Sequence, residues 1–106
     1  MFKLSFYVPD EALEPVKTAL FEAGAGGVGN YNQCCWQSKG AGQFRPLPGS
    51  DAAIGELDQL TQQEEWKVEM ICEAGHIKAV VAALKEAHPY EEVAYDVLQM
   101  IDVDSL

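Results

Sequence analysis

His88-Pro89-Tyr90-Glu91-Glu92, followed by Tyr95 and Asp96, gathers an imidazole, three carboxylates and two phenols within nine residues. Such side chains can hold a divalent cation or a polar ligand, because imidazole nitrogen and carboxylate oxygen ligate metals and a phenol adds a hydrogen bond. His88, Glu91 and Glu92, joined by Cys34, are the metal-ligand candidates. A metal site needs three or more ligands converging from separate elements, and the only other histidine, His76, lies one whole helix away. The competing reading has His88 ending a helix, Pro89 and Tyr90 turning a corner, and the carboxylates solvated or paired.

Two other patterns invite chemistry. Cys34 could serve as a nucleophile if a base and an orienting group reached it, but nothing in the spacing ties it to either histidine, so a packed strand cysteine is the expectation. Gly24-Ala25-Gly26-Gly27-Val28-Gly29 matches G-x-G-x-x-G literally. That motif binds pyrophosphate when it follows a strand and opens a helix; here it ends a helix and leads into a strand, which reads as a cap and tight turn. The adjacent carboxylates of Glu64-Glu65 and Glu91-Glu92 would point to opposite faces of a strand and would not act together. A G-x-S-x-G, a P-loop and a C-x-x-C pair are all missing from the sequence.

The chain around these residues has 106 residues, 11.6 kDa and 48% hydrophobic content, which suits one folded domain. Seventeen Asp and Glu against seven Lys and Arg give a formal charge of −10, which argues against nucleic acid as a partner. The apolar stretch at residues 1–8 is cut short by Pro9, Asp10 and Glu11, too soon for a signal-peptide core, and no run approaches a membrane span. A cytoplasmic protein with reduced thiols is expected. The charge is uneven: residues 63–106 hold ten acids and three bases, whereas residues 23–50 hold no carboxylate and only Lys39 and Arg45. A small anion or an acidic neighbouring subunit could therefore sit at the cationic segment.

Periodicity supplies the elements. Phe2, Leu4, Phe6 and Val8 alternate on a first strand, and Leu13, Val16, Leu20 and Ala23 follow at helical spacing behind an Asp10 cap, with Gly24 as the stop. Residues 24–55 hold eight of the nine glycines; within them Tyr31–Ser38 reads as a strand, Lys39-Gly40-Ala41-Gly42 as a turn and Gln43-Phe44-Arg45 as a short returning strand. Trp66, Val68, Met70 and Cys72 mark the buried side of a half-buried strand. Ile77, Val80, Val81 and Leu84 mark a helix ending near His88, before Pro89, and residues 92–100 read as the last strand. This order predicts an α+β, ferredoxin-like sandwich: an antiparallel sheet with two helices on one face and an extended central hairpin. Its uncovered face predicts self-association.

Gly24-Ala25-Gly26 with Gly29-Asn30-Tyr31, Cys34, Gly40-Ala41-Gly42-Gln43-Phe44-Arg45-Pro46, Ile54-Gly55 and His88-Pro89-Tyr90-Glu91-Glu92-Val93-Ala94-Tyr95-Asp96 together resemble the YqfO-type domain of the NIF-three-like family, homologues of GTP cyclohydrolase I type 2. In that family the domain is inserted between two halves of a dinuclear-metal-binding protein, and Ala53 stands where the family often has proline. The resemblance implies a PII-like or CutA-like fold that tends to trimerise. It transfers no catalytic residue, since the metal ligands of the larger family reside in flanking halves not found in this sequence. The leading expectation is a small, non-catalytic, homo-oligomeric binding or regulatory module. Its ligand is placed where the glycine-rich segment meets the His88 corner, with Asn30, Tyr31, Arg45, His88, Tyr90, Glu91 and Glu92 as lining candidates. The alternatives are a divalent-metal protein, for metal tolerance or hydrolysis, using His88, Glu91, Glu92 and Cys34 across a subunit interface, and a PII-like nucleotide sensor binding phosphates through the loop after the first helix.

Overall fold

The computed structural model describes residues 1–106, and alternation of apolar and polar side chains builds its sheet. Phe2–Pro9 forms β1, which buries Leu4, Phe6 and Val8. Two helices cover that face. Leu13–Glu22 forms α1 and buries Leu13, Val16 and Leu20; Ile77–Ala87 forms α2 and buries Val80 and Leu84. Trp36–Phe44 forms β2, Thr61–Cys72 forms β3 and Tyr95–Gln99 forms β4. In β3 the residues opposite Leu4 and Phe6 are Met70 and Val68, which complete the core from the same side. The strand order is β2-β3-β1-β4, with every pair antiparallel. This is the α+β ferredoxin-like sandwich that the element order predicts.

The end of α1 explains the glycine run. Gly24 N–H donates to the Phe21 carbonyl at 3.1 Å and Ala25 N–H to the Leu20 carbonyl at 3.0 Å, with Gly24 at φ 116°. These are the paired bonds of a Schellman cap, so carbonyls rather than N–H groups lie at this end of the helix, the wrong polarity for a phosphate. The start of α1 differs from expectation. Asp10 opens a short 3-10 turn over Asp10–Ala12 and caps nothing; its carboxylate instead accepts from Trp66 Nε1 at 2.8 Å. Pro15 falls in the first turn of α1, where its missing N–H breaks no bond.

The expected turn at Lys39–Gly42 is overturned. Those residues lie inside β2, Gly40 and Gly42 have no positive φ, and the strand pairs without interruption from Trp36 opposite Glu69 to Phe44 opposite Thr61. A strand glycine can also serve the close approach of another group, and Gly42 does so: a Cβ there would collide with the Glu65 carboxylate. The actual connection is residues 45–60, after which β3 begins at Thr61, five residues before Trp66. The last strand begins later than expected, at Tyr95, because residues 88–94 form a corner instead.

Register sets the overall form. β1 pairs with Glu65 to Cys72 of β3, while β2 pairs with Thr61 to Glu69, so the β2–β3 hairpin projects past the end of β1. The molecule accordingly measures 49 × 28 × 24 Å. No helix is long and apolar enough to cross a membrane.

Candidate functional site

Strand β4 pairs with β1 only as far as Phe6, leaving Tyr7 to Pro9 beside the corner that follows α2. His88 locks that corner in place. Its Nδ1 accepts the Tyr90 N–H at 3.1 Å, so Nε2 carries the proton and donates to the Tyr7 carbonyl at 2.7 Å. The side chain is 5% exposed, and burial pushes its pKa below the usual imidazole value, against the opposing pull of the Tyr7 carbonyl and the Glu65 charge. Both ring nitrogens face backbone, which makes His88 the pin of a turn and leaves neither nitrogen free for a metal.

Tyr90 is the next link. Its ring meets the His88 ring edge-on at a centroid separation of 4.8 Å and the Phe44 ring at 6.3 Å. Its hydroxyl is shut off from water and closes no well-formed hydrogen bond; burial, helped by the adjacent Glu65 carboxylate, raises its pKa far above the ordinary phenol value. Glu91 fastens the corner to the β2–β3 loop by accepting the Asp51 N–H at 2.9 Å.

The glycine-rich segment and the His88 corner therefore meet, and a cavity of about 440 Å³ opens between them. Arg45, Tyr90, Glu91 and Glu92 line it, four of the seven candidates named from the sequence, together with Glu65 and Phe44. A second cavity of about 300 Å³ lies on the uncovered face of the sheet, and Glu65 and Tyr90 line both. Sequence reasoning missed Glu65, Phe44 and Gly42. Glu65 looks like any solvent-side residue of an alternating strand, and only the Gly42 gap across the ladder marks it as packed.

Asn30, Tyr31 and Cys34 lie elsewhere. Tyr31 bridges to Val28 in a tight turn and is 76% exposed. The Cys34 N–H donates to the Gly26 carbonyl, and Gly26 in turn bonds Ile71, which stands opposite Lys3. His88 sits against Tyr7, four residues further along β1 and about 13 Å away at strand rise. Cys34 thus cannot join His88, Glu91 and Glu92 within one chain, and no three His, Cys, Asp or Glu side chains converge as a metal site.

No protein-family profile matches the chain. It is 45% identical over 95 residues, 90% of its length, to the GTP cyclohydrolase 1 type 2 homolog of Bacillus subtilis. A Bacillus cereus protein related to NIF3 superposes with a TM-score of 0.81 at 40% identity, over 95% of this chain and 26% of that one. The PII-like protein CutA from Nostoc sp. PCC 7120 superposes with a TM-score of 0.68 at 14% identity, over 100% of this chain and 86% of that one, which shows a shared fold. The chain spans about a quarter of the length of the curated relatives it matches, 26% of the Bacillus subtilis protein.

Proposed function

We propose that this chain, similar to one segment of the GTP cyclohydrolase 1 type 2 homologues and folded as CutA is, works as a small self-associating ligand-binding or regulatory module with no reaction of its own. One observation carries the reading: the cavity of about 440 Å³ where the β2–β3 loop meets the His88 corner. Its size falls in the range of small-molecule sites, roughly 300–1,000 Å³, and it joins apolar walls with a few polar groups. The corner is held by two backbone contacts to His88 and one to Glu91, so one wall is preformed. Cys34 lies toward the Lys3 end of the sheet and His88 at the Tyr7 end, which supports binding over nucleophilic chemistry.

The test is amide chemical-shift mapping of the full chain against amino acids, nucleotides, carboxylates and amines. At least one class is expected to move the amides of residues 43–54 and 90–94 together. If all of them leave those amides unmoved, the reading fails.

A further inference from the structure

The cavity keeps charges of opposite sign apart. Arg45 and the carboxylates of Glu65, Glu91 and Glu92 line the same space, yet none of them is ion-paired. The ion pairs that do form are Lys3–Glu69, Lys17–Glu14, Lys39–Glu64 and Lys67–Glu69. Three carboxylates against one guanidinium leave the cavity negative. Lys39, the other cation of the glycine-rich segment, does not alter this balance, because its ammonium is held by Glu64 at 3.6 Å and lies 5.8 Å from the Trp66 ring centroid. The small anion expected from the local charge of residues 23–50 would meet more negative than positive charge in this cavity.

The carboxylates are not interchangeable. Glu91 already accepts the Asp51 N–H, whereas Glu65 is seated in the gap left by Gly42, beside the Tyr90 hydroxyl, which is shut off from solvent and closes no well-formed hydrogen bond within the chain. A buried hydroxyl left this way costs stability, so its presence asks for a partner that arrives with a ligand. Phe44, Leu47 and Ile54 supply apolar wall.

Resting on the binding reading above, we propose that the cavity takes a small zwitterion, an amino acid with an apolar or aromatic side chain. Its ammonium goes to Glu65 and Glu92, its carboxylate to Arg45, and its side chain to the wall around Phe44. An ammonium offers three donors and a carboxylate accepts the Arg fork in two parallel bonds, so the ligand joins the unpaired charges that the protein holds apart. The Tyr90 hydroxyl gains its missing partner.

Calorimetry on the full chain with three probes sharing one body tests this: L-phenylalanine, 2-phenylethylamine and 3-phenylpropionate, with ATP as an anionic comparison. L-phenylalanine is expected to bind tighter than about 1 mM. 2-Phenylethylamine should bind at least about tenfold more weakly and the two anions not at all, since each lost charge-assisted contact is worth about tenfold or more. Glu65→Gln should cost L-phenylalanine at least about tenfold in affinity. Tyr90→Phe should weaken binding while leaving the melting temperature unchanged or higher, an outcome that a purely structural hydroxyl would reverse. Preferential binding of 3-phenylpropionate or ATP that Arg45→Gln abolishes would overturn the zwitterion and keep the binding module. Silence from all four probes overturns it as well, while the amide mapping decides the broader reading independently.

Discussion

At the residue scale, His88 fixes one wall of the cavity by using its ring nitrogens in opposite senses, one accepting from Tyr90 and one donating to Tyr7. Protonation would put a second N–H against the Tyr90 N–H, so the folded chain holds the neutral ring and its pKa is lowered, mainly by burial. The unfolded chain takes up the proton once pH falls below about 6.5. The contribution to stability is thus complete above that value and is lost as pH falls through it toward the folded pKa. The melting temperature of the native chain is expected to drop more between pH 7.5 and 5.5 than that of His88→Gln, which keeps a donor for Tyr7 but titrates nothing. Equal drops would refute the assignment. His88→Ala leaves two buried backbone groups unpaired and should cost about 1–3 kcal/mol in urea unfolding. The helix-ending role of His88 was legible from Pro89 after it; the fate of its nitrogens was not, because both partners depend on how the corner meets β1.

At the element scale, glycine has three separate uses, and the sequence distinguishes them unequally. Gly24 follows a helical pattern, and its use as a cap could be read directly. A side chain there would strain a backbone at φ 116° and bring a Cβ to 2.8 Å from the His76 ring. Gly24→Ala is expected to cost about 1–2 kcal/mol from the backbone alone, measured by denaturant unfolding, and an unchanged midpoint would show that the cap is not needed. Gly40 and Gly42 look like a turn by the same local logic, yet they sit in mid-strand. The cause is non-local: pairing with β3 supplies the backbone bonds, and the Glu65 carboxylate occupies the missing Cβ volume of Gly42. Turn chemistry lies further on, where Pro46 and Pro48 stop the strand and Gly49 and Gly55 take positive φ.

At the scale of the whole molecule, a radius of gyration of 15.1 Å exceeds the roughly 13 Å of a compact chain this long, because the β2–β3 hairpin projects beyond the helix-covered core. That projection and the uncovered sheet face carry large apolar side chains, Trp36 at 70% exposed and Leu60 at 64%. The proposed self-association would cover them, and light scattering on a sizing column should give a trimer, three times 11.6 kDa, at micromolar concentration. A clean monomer would contradict it. The cationic segment gives little independent drive toward an acidic neighbour, since Lys39 is paired within the chain and Arg45 faces the cavity. What the sequence alone determined is the set of buried faces and their order, because period two and period 3.6 state directly which side chains leave water. Only the tertiary structure decided that Arg45, Glu65, Tyr90 and Glu92 share one cavity while Asn30, Tyr31 and Cys34 stand elsewhere. That shared lining brings together residues up to 47 positions apart, Arg45 and Glu92, and depends on strand register and on how far a hairpin overhangs, quantities that no local pattern encodes.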